Sequence, residues 1–360
     1  MDLIINILAI IATLFSLSAF YFFYKIPFCK LNKRKIYPKI SIIIPARNEE
    51  KNISKLLKSI NNQNFKIDEV IVVNDHSIDK TKSISESLGA KVLDAKDLPN
   101  GWKGKPWACF QGANLASGEV LIFLDADTTF ENDGLKKIID TFLDFENETA
   151  MSLAPYHKVE KYYEEFSSIF NIVMMGAMNA FTPSKIKNAD GLFGQSLIIK
   201  KDTYNKVGGH EVVKDKVLEN VFLASYLQKQ NVDIKCFGGK NTLSFRMYPD
   251  GFFNLINGWT KAFASGASRT SISVLLQIIM WLNGGVIATI LVLYSFSLIT
   301  SILYLLFVFQ FYWMLNRIGS FKVLTAIIFP IYFIFYFIVF FRSLYYLKTG
   351  KKINWKERAV

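Results

Sequence analysis

The sequence predicts an α/β domain built on a mostly parallel, doubly wound sheet, with transmembrane helices at both ends of the chain. Three observations predict it. Short runs rich in branched apolar residues alternate with helix-period segments from about residue 37 to residue 269. Long uncharged runs lie on either side of that stretch. The pair Asp125-Ala126-Asp127 directly follows the apolar run Val120-Leu121-Ile122-Phe123-Leu124, at the kind of strand end where open α/β sheets place ligands.

The uncharged runs come first. Leu3 to Tyr24 is 22 residues without a charge, Thr270 to Asn316 is 47, and Val323 to Phe341 is 19. About 20 residues cross a bilayer core. This predicts one N-terminal span (1–25) and three C-terminal spans (270–347), the long run folding as a hairpin, followed by a basic tail (348–360). The first run lacks a basic n-region and a small-x-small cleavage site, so it reads as a retained span. Composition agrees: 51% of the chain is apolar and 15% aromatic, too much for one ordinary soluble domain.

Charge sets the orientation. The net charge is +12, and Lys25, Lys30, Lys33, Arg34 and Lys35 follow the first span. The positive-inside rule then puts the central domain (37–269) in the cytoplasm, at the cell membrane. The basic residues hug the spans and no nucleic-acid motif accompanies them, so no nucleic acid is expected as partner. Arg317 and Lys322 on one side of the last span, and Lys348, Lys351 and Lys352 on the other, leave its orientation open. Cys29, Cys109 and Cys236 are scattered without metal spacing and read as free thiols.

Along the central domain, Ile40 to Ile44 reads as a strand stopped by Pro45, and Glu49 to Ile60 as a helix with Ile53, Leu56, Leu57 and Ile60 on one face. Val70 to Val73 is a second strand, and Ser77 or Asp79 can cap the helix that runs to Leu88. Ala90 to Leu93 is a short third strand. A loop from Pro99 to Pro106 leads to a helix through Ala116, and Ser117-Gly118 closes it before the strand ending at Asp125. Tyr162 to Phe181 and Phe252 to Phe263 are apolar but too mixed to span, and read as interfacial helices (about 162–181 and 251–264).

The side-chain period of two in a strand would point Asp125 and Asp127 the same way, and two converging carboxylates can hold a hard divalent cation. Alone, the pair reads equally well as a turn or helix-cap pair. It is not alone. Pro45-Ala46-Arg47-Asn48-Glu49-Glu50, then Asn74-Asp75-x-Ser77-x-Asp79-x-Thr81, then Gly104-Lys105 before a helix, then Asp125-x-Asp127, each lie at a strand end or in the loop beyond. In this order they resemble glycosyltransferase family 2, the inverting nucleotide-sugar enzymes with a Rossmann-like GT-A fold. Phe166-Ser167-x-Ile169-Phe170-Asn171, Arg246-Met247-Tyr248 and Gly258-Trp259-Thr260-Lys261 extend the likeness to the membrane branch of that family.

The resemblance implies roles. Ala46, Arg47 and Glu49 would line the nucleotide pocket, with Asp75 on a uracil. Lys105 would face the diphosphate. Asp125 would contact ribose or metal, and Asp127 would hold Mg²⁺ or Mn²⁺. Independently of family, a departing nucleoside diphosphate gathers negative charge, which a cation and a lysine stabilise. Asp190, Gly194 and Gln195 resemble the acceptor loop, and Trp259 or Lys261 would lie near acceptor or diphosphate. Family members usually carry an acidic pair near the acceptor. Here the matching residues are Glu219 and Asn220. An amide cannot take a proton, so Glu219 is the candidate catalytic base. The Gln-x-x-Arg-Trp motif of processive members is absent: Leu255 and Gly258 stand at its Gln and Arg positions. That argues for transfer of a single sugar.

The expected activity is transfer of one sugar, with glucose favoured, from a UDP-sugar donor to a lipophilic acceptor. A carboxylic acid is already ionised near neutral pH and needs little help from a base, so a weakened acidic pair suits a carotenoid acid. A ceramide-, diacylglycerol- or hopanoid-type lipid is the alternative acceptor. A different class, an inactive scaffold that only binds nucleotide-sugar, follows if Asn220 abolishes catalysis.

Overall fold

The structure is a computed structural model that describes residues 2–216, 218–266, 270–349, 354–355 and 358–359. Most of the basic tail at 348–360 therefore lies outside the described residues. The chain divides into two compact units. One is Ile26–Tyr156 with Ser184–Phe245. The other is Met1–Lys25, His157–Pro183 and Arg246–Val360. The segments 162–181 and 251–264 fall in the second unit, with the apolar helices.

In chain order, helices α1 (Asp2–Leu17) and α2 (Ala19–Phe22) open the chain. The α/β unit then runs β1 (Ile40–Ala46), α3 (Ile53–Asn61), β2 (Glu69–Asn74), α4 (Thr81–Ser87), β3 (Lys91–Asp94), α5 (Gly104–Leu115), β4 (Val120–Leu124), β5 (Thr128–Phe130), α6 (Gly134–Phe142), β6 (Thr149–Ala154) and β7 (Tyr156–His157). After α7 (Ser168–Ala177) in the other unit, it resumes with β8 (Ser196–Lys200), α8 (Lys201–Lys206), α9 (Glu219–Lys229), β9 (Asp233–Gly238) and β10 (Leu243–Phe245).

The main sheet has the order β3-β2-β1-β4-β8-β6-β9. Strands β3, β2, β1 and β4 are parallel, as are β6 and β9. Strand β8 runs antiparallel to both its neighbours. The alternation of strands and helices predicts the parallel part; the reversed strand is the departure from it. All five residues of β4 are buried, which accounts for its continuous apolar run. Ile42, Ile44, Leu56, Ile122, Ile138 and Ile198 share one core. On α5, Gly112 has no room for a side chain: a Cβ would lie 2.6 Å from Ile43 Cγ2. Glycine there lets α5 sit close on β1 and β2.

Register fixes where the loops emerge. Ala46 pairs with Asn74 across β1 and β2, so Arg47 and Asp75 leave the sheet side by side at the carboxyl edge. β4 runs parallel to β1 and delivers Asp125 to the same edge. Because β8 is reversed, its first residue Ser196 pairs with Leu124, the last of β4. Gly194 and Gln195 therefore arrive beside Asp125.

In the other unit, four helices are long and apolar enough to cross a membrane: Leu3–Phe22, Ile272–Tyr294, Leu298–Ile318 and Phe329–Thr349. They include α11 (Ile272–Tyr294) and α12 (Leu298–Ile318), preceded by α10 (Phe252–Gly266). After α12, α13 (Val323–Ile327) ends before Pro330, and α14 (Phe329–Thr349) starts there. Proline is tolerated in a first helical turn, where its missing N–H has no partner to lose. The fourth apolar helix is thus displaced from the uncharged run at 323–341 and takes in Arg342 and Lys348. Arg342 donates to Asn257 Oδ1 at 2.8 Å. Gly284 of α11 meets α1, where a Cβ would sit 3.0 Å from Ser16 N. Gln310 donates to Ser16 O at 2.9 Å, a polar tie between apolar helices. The 162–181 segment is a 3-10 turn (Tyr162–Ser167) followed by α7, whose Phe170 packs on Tyr336 of α14.

Candidate active site

The site forms within the α/β unit, at the carboxyl edge of β1, β2 and β4. Beyond Leu124 the chain turns: Thr128 N and Oγ1 both donate to Asp125 O, at 3.2 and 2.8 Å. The turn, not strand alternation as the sequence pattern suggests, sets the two carboxylates. Asp125 N donates to Gln195 O at 3.0 Å, which ties this turn to the loop before β8.

A small cavity opens here, lined among others by Pro45, Lys105, Asp125, Gly194, His210 and Asn220. Lys105 comes from the first turn of α5. Its Nζ lies 2.7 Å from Asp125 Oδ1 and 2.7 Å from Glu219 Oε1, and donates to Gly194 O at 2.9 Å. Burial would pull the ammonium's pKa down, but the two carboxylates outweigh it and hold the group above its usual range. Glu219, the first residue of α9, is 4% exposed. Its Oε1 contacts Lys105 as an ion pair but takes no well-directed hydrogen bond. Asn220 donates from Nδ2 to Phe193 O and Gly194 O, at 3.0 and 3.2 Å.

His210 completes the wall. Gly208 and Gly209 adopt φ of +84° and +55°, and a Cβ on Gly209 would strike the Tyr204 ring at 2.4 Å. Only glycine lets the chain turn this tightly. Tyr204 Oη accepts from His210 N at 3.0 Å and contacts Nδ1 at 2.9 Å. Burial raises the Tyr204 pKa, so the phenol keeps its proton and donates it to Nδ1. The network thereby assigns the remaining imidazole proton to Nε2. Burial, aided by Lys105, lowers the His210 pKa to about 3. His210 is neutral at physiological pH. Cys109 is buried, which raises its thiol pKa and keeps it protonated. Asp125 lines this cavity and Glu219 reaches it through Lys105, so these are the two carboxylates at the site.

The residues expected to line a nucleotide pocket gather at the neighbouring loops. Asp75 N donates to Ala46 O at 2.8 Å. Arg47 Nη1 lies 3.7 Å from Asp75 Oδ2. Glu49 N donates to Thr81 Oγ1 at 2.8 Å, and Glu49 Oε2 accepts from Asn52. Asp79 Oδ1 accepts from Thr81 N at 2.9 Å, just ahead of α4. Asp190 pairs with Lys185 at 2.7 Å. Trp259 and Lys261 lie on α10 in the other unit. Trp259 is 2% exposed, stacks on Phe170 and donates from Nε1 to Ser167 Oγ at 3.0 Å. His210 and Tyr204 were not legible as site residues: only the preceding Gly208-Gly209 hints at a constrained turn.

The donor set suits one kind of metal binding. Among the described residues there is no group of three or more His, Cys, Asp or Glu side chains that could hold a metal alone. Asp125 and Asp127 are two carboxylates, and Asp125 already attracts an ammonium at contact distance. One or two carboxylates completed by substrate phosphate oxygens is the usual protein share of a Mg²⁺ site. The pair fits a cation that arrives with a diphosphate.

Comparison with known proteins agrees with this geometry. The glycosyl transferase family 2 model matches residues 41–222. The chain is 35% identical over 352 residues to the 4,4'-diaponeurosporenoate glycosyltransferase of Staphylococcus haemolyticus, covering 93% of this chain and 92% of that protein. It is 35% identical over 329 residues to the protein of that name from Staphylococcus aureus USA300, covering 89% and 87%. Among solved structures, the mannosyltransferase PcManGT from Pyrobaculum calidifontis, in complex with GDP-Man and Mn²⁺, has a TM-score of 0.54 at 16% identity. The match covers 96% of this chain and all of that one. The fold is GT-A, and the chain is a glycosyltransferase enzyme that belongs to glycosyl transferase family 2.

Proposed function

We propose that this protein transfers one glucose from UDP-glucose to the carboxylate of 4,4'-diaponeurosporenoate, or a closely similar carotenoid acid, with inversion at the sugar carbon. The observation that carries the reading is the cavity-lining Lys105, held between Asp125 and Glu219. Its support is the likeness to the staphylococcal enzymes along nearly the whole chain.

In this reading the acceptor carboxylate oxygen attacks C1 of glucose. The bond from C1 to the diphosphate oxygen breaks, and its electron pair leaves with UDP. Lys105 lies where it can neutralise the negative charge gathering on the leaving group. Asp125 and Asp127 would hold Mg²⁺ or Mn²⁺, which supplies Lewis-acid stabilisation of the diphosphate. Asp75 and Arg47 would bind the nucleoside. Glu219 orients the acceptor and takes a proton if the acceptor brings one. Four helices long and apolar enough to cross a membrane support a seat in the cell membrane, and by the positive-inside rule the basic cluster after the first of them supports a cytoplasmic α/β unit with access to UDP-sugar.

One observation favours a second reading. Glu219 Oε1 takes no well-directed hydrogen bond and so retains a lone pair for a proton. That suits an alcohol acceptor on a membrane lipid, which must be deprotonated. Lipid analysis of a carotenoid-acid-producing host, with and without this chain, tests the proposal. A glucosyl ester that appears only with the chain supports it. Unchanged carotenoid acid beside a new glycolipid refutes it in favour of the second reading.

A further inference from the structure

We infer that Asn220 is a positioning residue, a hydrogen-bond donor that clamps the loop at 193–195 against Lys105 and Glu219, and not an acidic residue lost. The inference rests on the reading of this cavity as the transfer site. It concerns how the cavity is held, not which acceptor enters it.

The geometry is specific to an amide. Asn220 is 3% exposed, and its Nδ2 donates to two successive carbonyls, Phe193 O at 3.0 Å and Gly194 O at 3.2 Å. The NH₂ group has two protons to give, and both are used. Gly194 O accepts from Lys105 Nζ as well, at 2.9 Å. One carbonyl oxygen thus joins the amide of α9 to the ammonium of α5. The rest of the loop is held too. Phe193 N donates to Ser152 Oγ at 2.9 Å, and Gln195 O accepts from Asp125 N at 3.0 Å. The last residue of this loop therefore touches the Asp-x-Asp turn, and the middle one touches the lysine between the two carboxylates.

A carboxylate at position 220 could not do this. An ionised Asp has only acceptors. It would face two carbonyl oxygens in a buried place, with Glu219 as its chain neighbour. The adjacent residues Glu219 and Asn220 therefore divide the work on the first turn of α9. Glu219 turns to the lysine, and Asn220 secures the loop to which that lysine is tethered. The titratable groups lining the cavity are Lys105, Cys109, Asp125 and His210, with Glu219 paired to Lys105. Asp125 and Glu219 as carboxylates can only accept, and Lys105 already donates to Gly194 O and pairs with both.

The test uses full-length protein in detergent micelles, as wild type, Asn220→Asp and Asn220→Ala. Transfer of labelled glucose from UDP-glucose to the carotenoid acid is followed between pH 6 and pH 8, and hydrogen exchange is followed in the peptide spanning 188–197. At pH 8, Asn220→Asp should transfer roughly 10- to 100-fold more slowly, as expected for two lost hydrogen bonds and a desolvated carboxylate. Relative to wild type it should recover in part as the pH falls, because a protonated Asp donates one of the two bonds again. Asn220→Ala should be slow at every pH, with no recovery. Both variants should exchange faster at 188–197 while other peptides keep wild-type protection. An Asn220→Asp enzyme at or above the wild-type rate at pH 8 would overturn the inference and make position 220 a site for a base. So would unchanged exchange in that peptide in both variants. If wild type itself transfers no glucose, the functional reading fails, while the exchange measurement still decides the clamp.

Discussion

Lys105 Nζ lies 2.7 Å from Glu219 Oε1 and 2.7 Å from Asp125 Oδ1, so carboxylates from α9 and from the end of β4 meet on one ammonium group. Glu219 is buried and Lys105 is its charge partner. Removing the lysine leaves a carboxylate uncompensated in a poorly solvated place. Lys105→Met is expected to lower kcat by roughly 10²- to 10⁴-fold and also to lower the unfolding temperature. Lys105→Arg should keep more of the stability than of the activity, because a planar guanidinium cannot place one nitrogen against three oxygens as an ammonium does. Activity and thermal unfolding of both variants check this. A fully active Lys105→Met would contradict it.

Metal dependence is the second expectation. Asp125 and Asp127 would supply only part of a coordination shell, so the cation should bind weakly alone and tightly with donor. EDTA should abolish transfer, and added Mg²⁺ or Mn²⁺ should restore it. Asp127→Asn should lose transfer while still inserting into membranes. Calorimetry of Mn²⁺ binding with and without UDP measures the coupling. Full transfer in excess EDTA would refute the role of the pair.

Stability should fall on acidification. His210 is held neutral when folded, with its pKa lowered from 6.5 to about 3. The unfolded chain takes up a proton near pH 6.5 that the folded chain refuses. This contribution to stability is present above pH 6.5 and is lost as the pH falls toward 3. Unfolding temperature measured from pH 7 to pH 4 should drop, and His210→Gln should reduce the slope by up to about one proton. An unchanged slope would remove His210 as its source.

Much of this architecture is legible in the sequence, for reasons that differ by element. Strands β1, β2 and β4 are buried on both faces and read as continuous apolar runs. The four apolar helices read from length alone. The last is displaced because Pro330 starts a helix instead of interrupting one. Strand β8 carries no mark of its reversal, since direction is set by long-range pairing with β4 and β6 and not by local residue type. That reversal brings Gly194 and Gln195 to Asp125. Lys105, Asp125 and Glu219 can be picked out singly, but they come from α5, the end of β4 and α9, and no local pattern marks the meeting of the two carboxylates on one ammonium. Asn220 reads as an acid missing from a pattern, because sequence shows what a side chain cannot do and not which carbonyls it faces. His210 and Tyr204 pair across a tight glycine turn that has no periodic signal.

The central claim is that the nucleophile is a carboxylate already ionised before it reaches Glu219. If so, Glu219→Gln should cost less than the roughly 10²- to 10⁴-fold typical of losing a general base. The deciding measurement is transfer of labelled glucose from UDP-glucose to 4,4'-diaponeurosporenoate and to the matching primary alcohol, by wild type and by Glu219→Gln. We predict rapid formation of an alkali-labile glucosyl ester from the acid, slow transfer to the alcohol, and a modest loss with the acid in the variant. Equal or faster use of the alcohol by wild type, with a full general-base loss in Glu219→Gln, would contradict it.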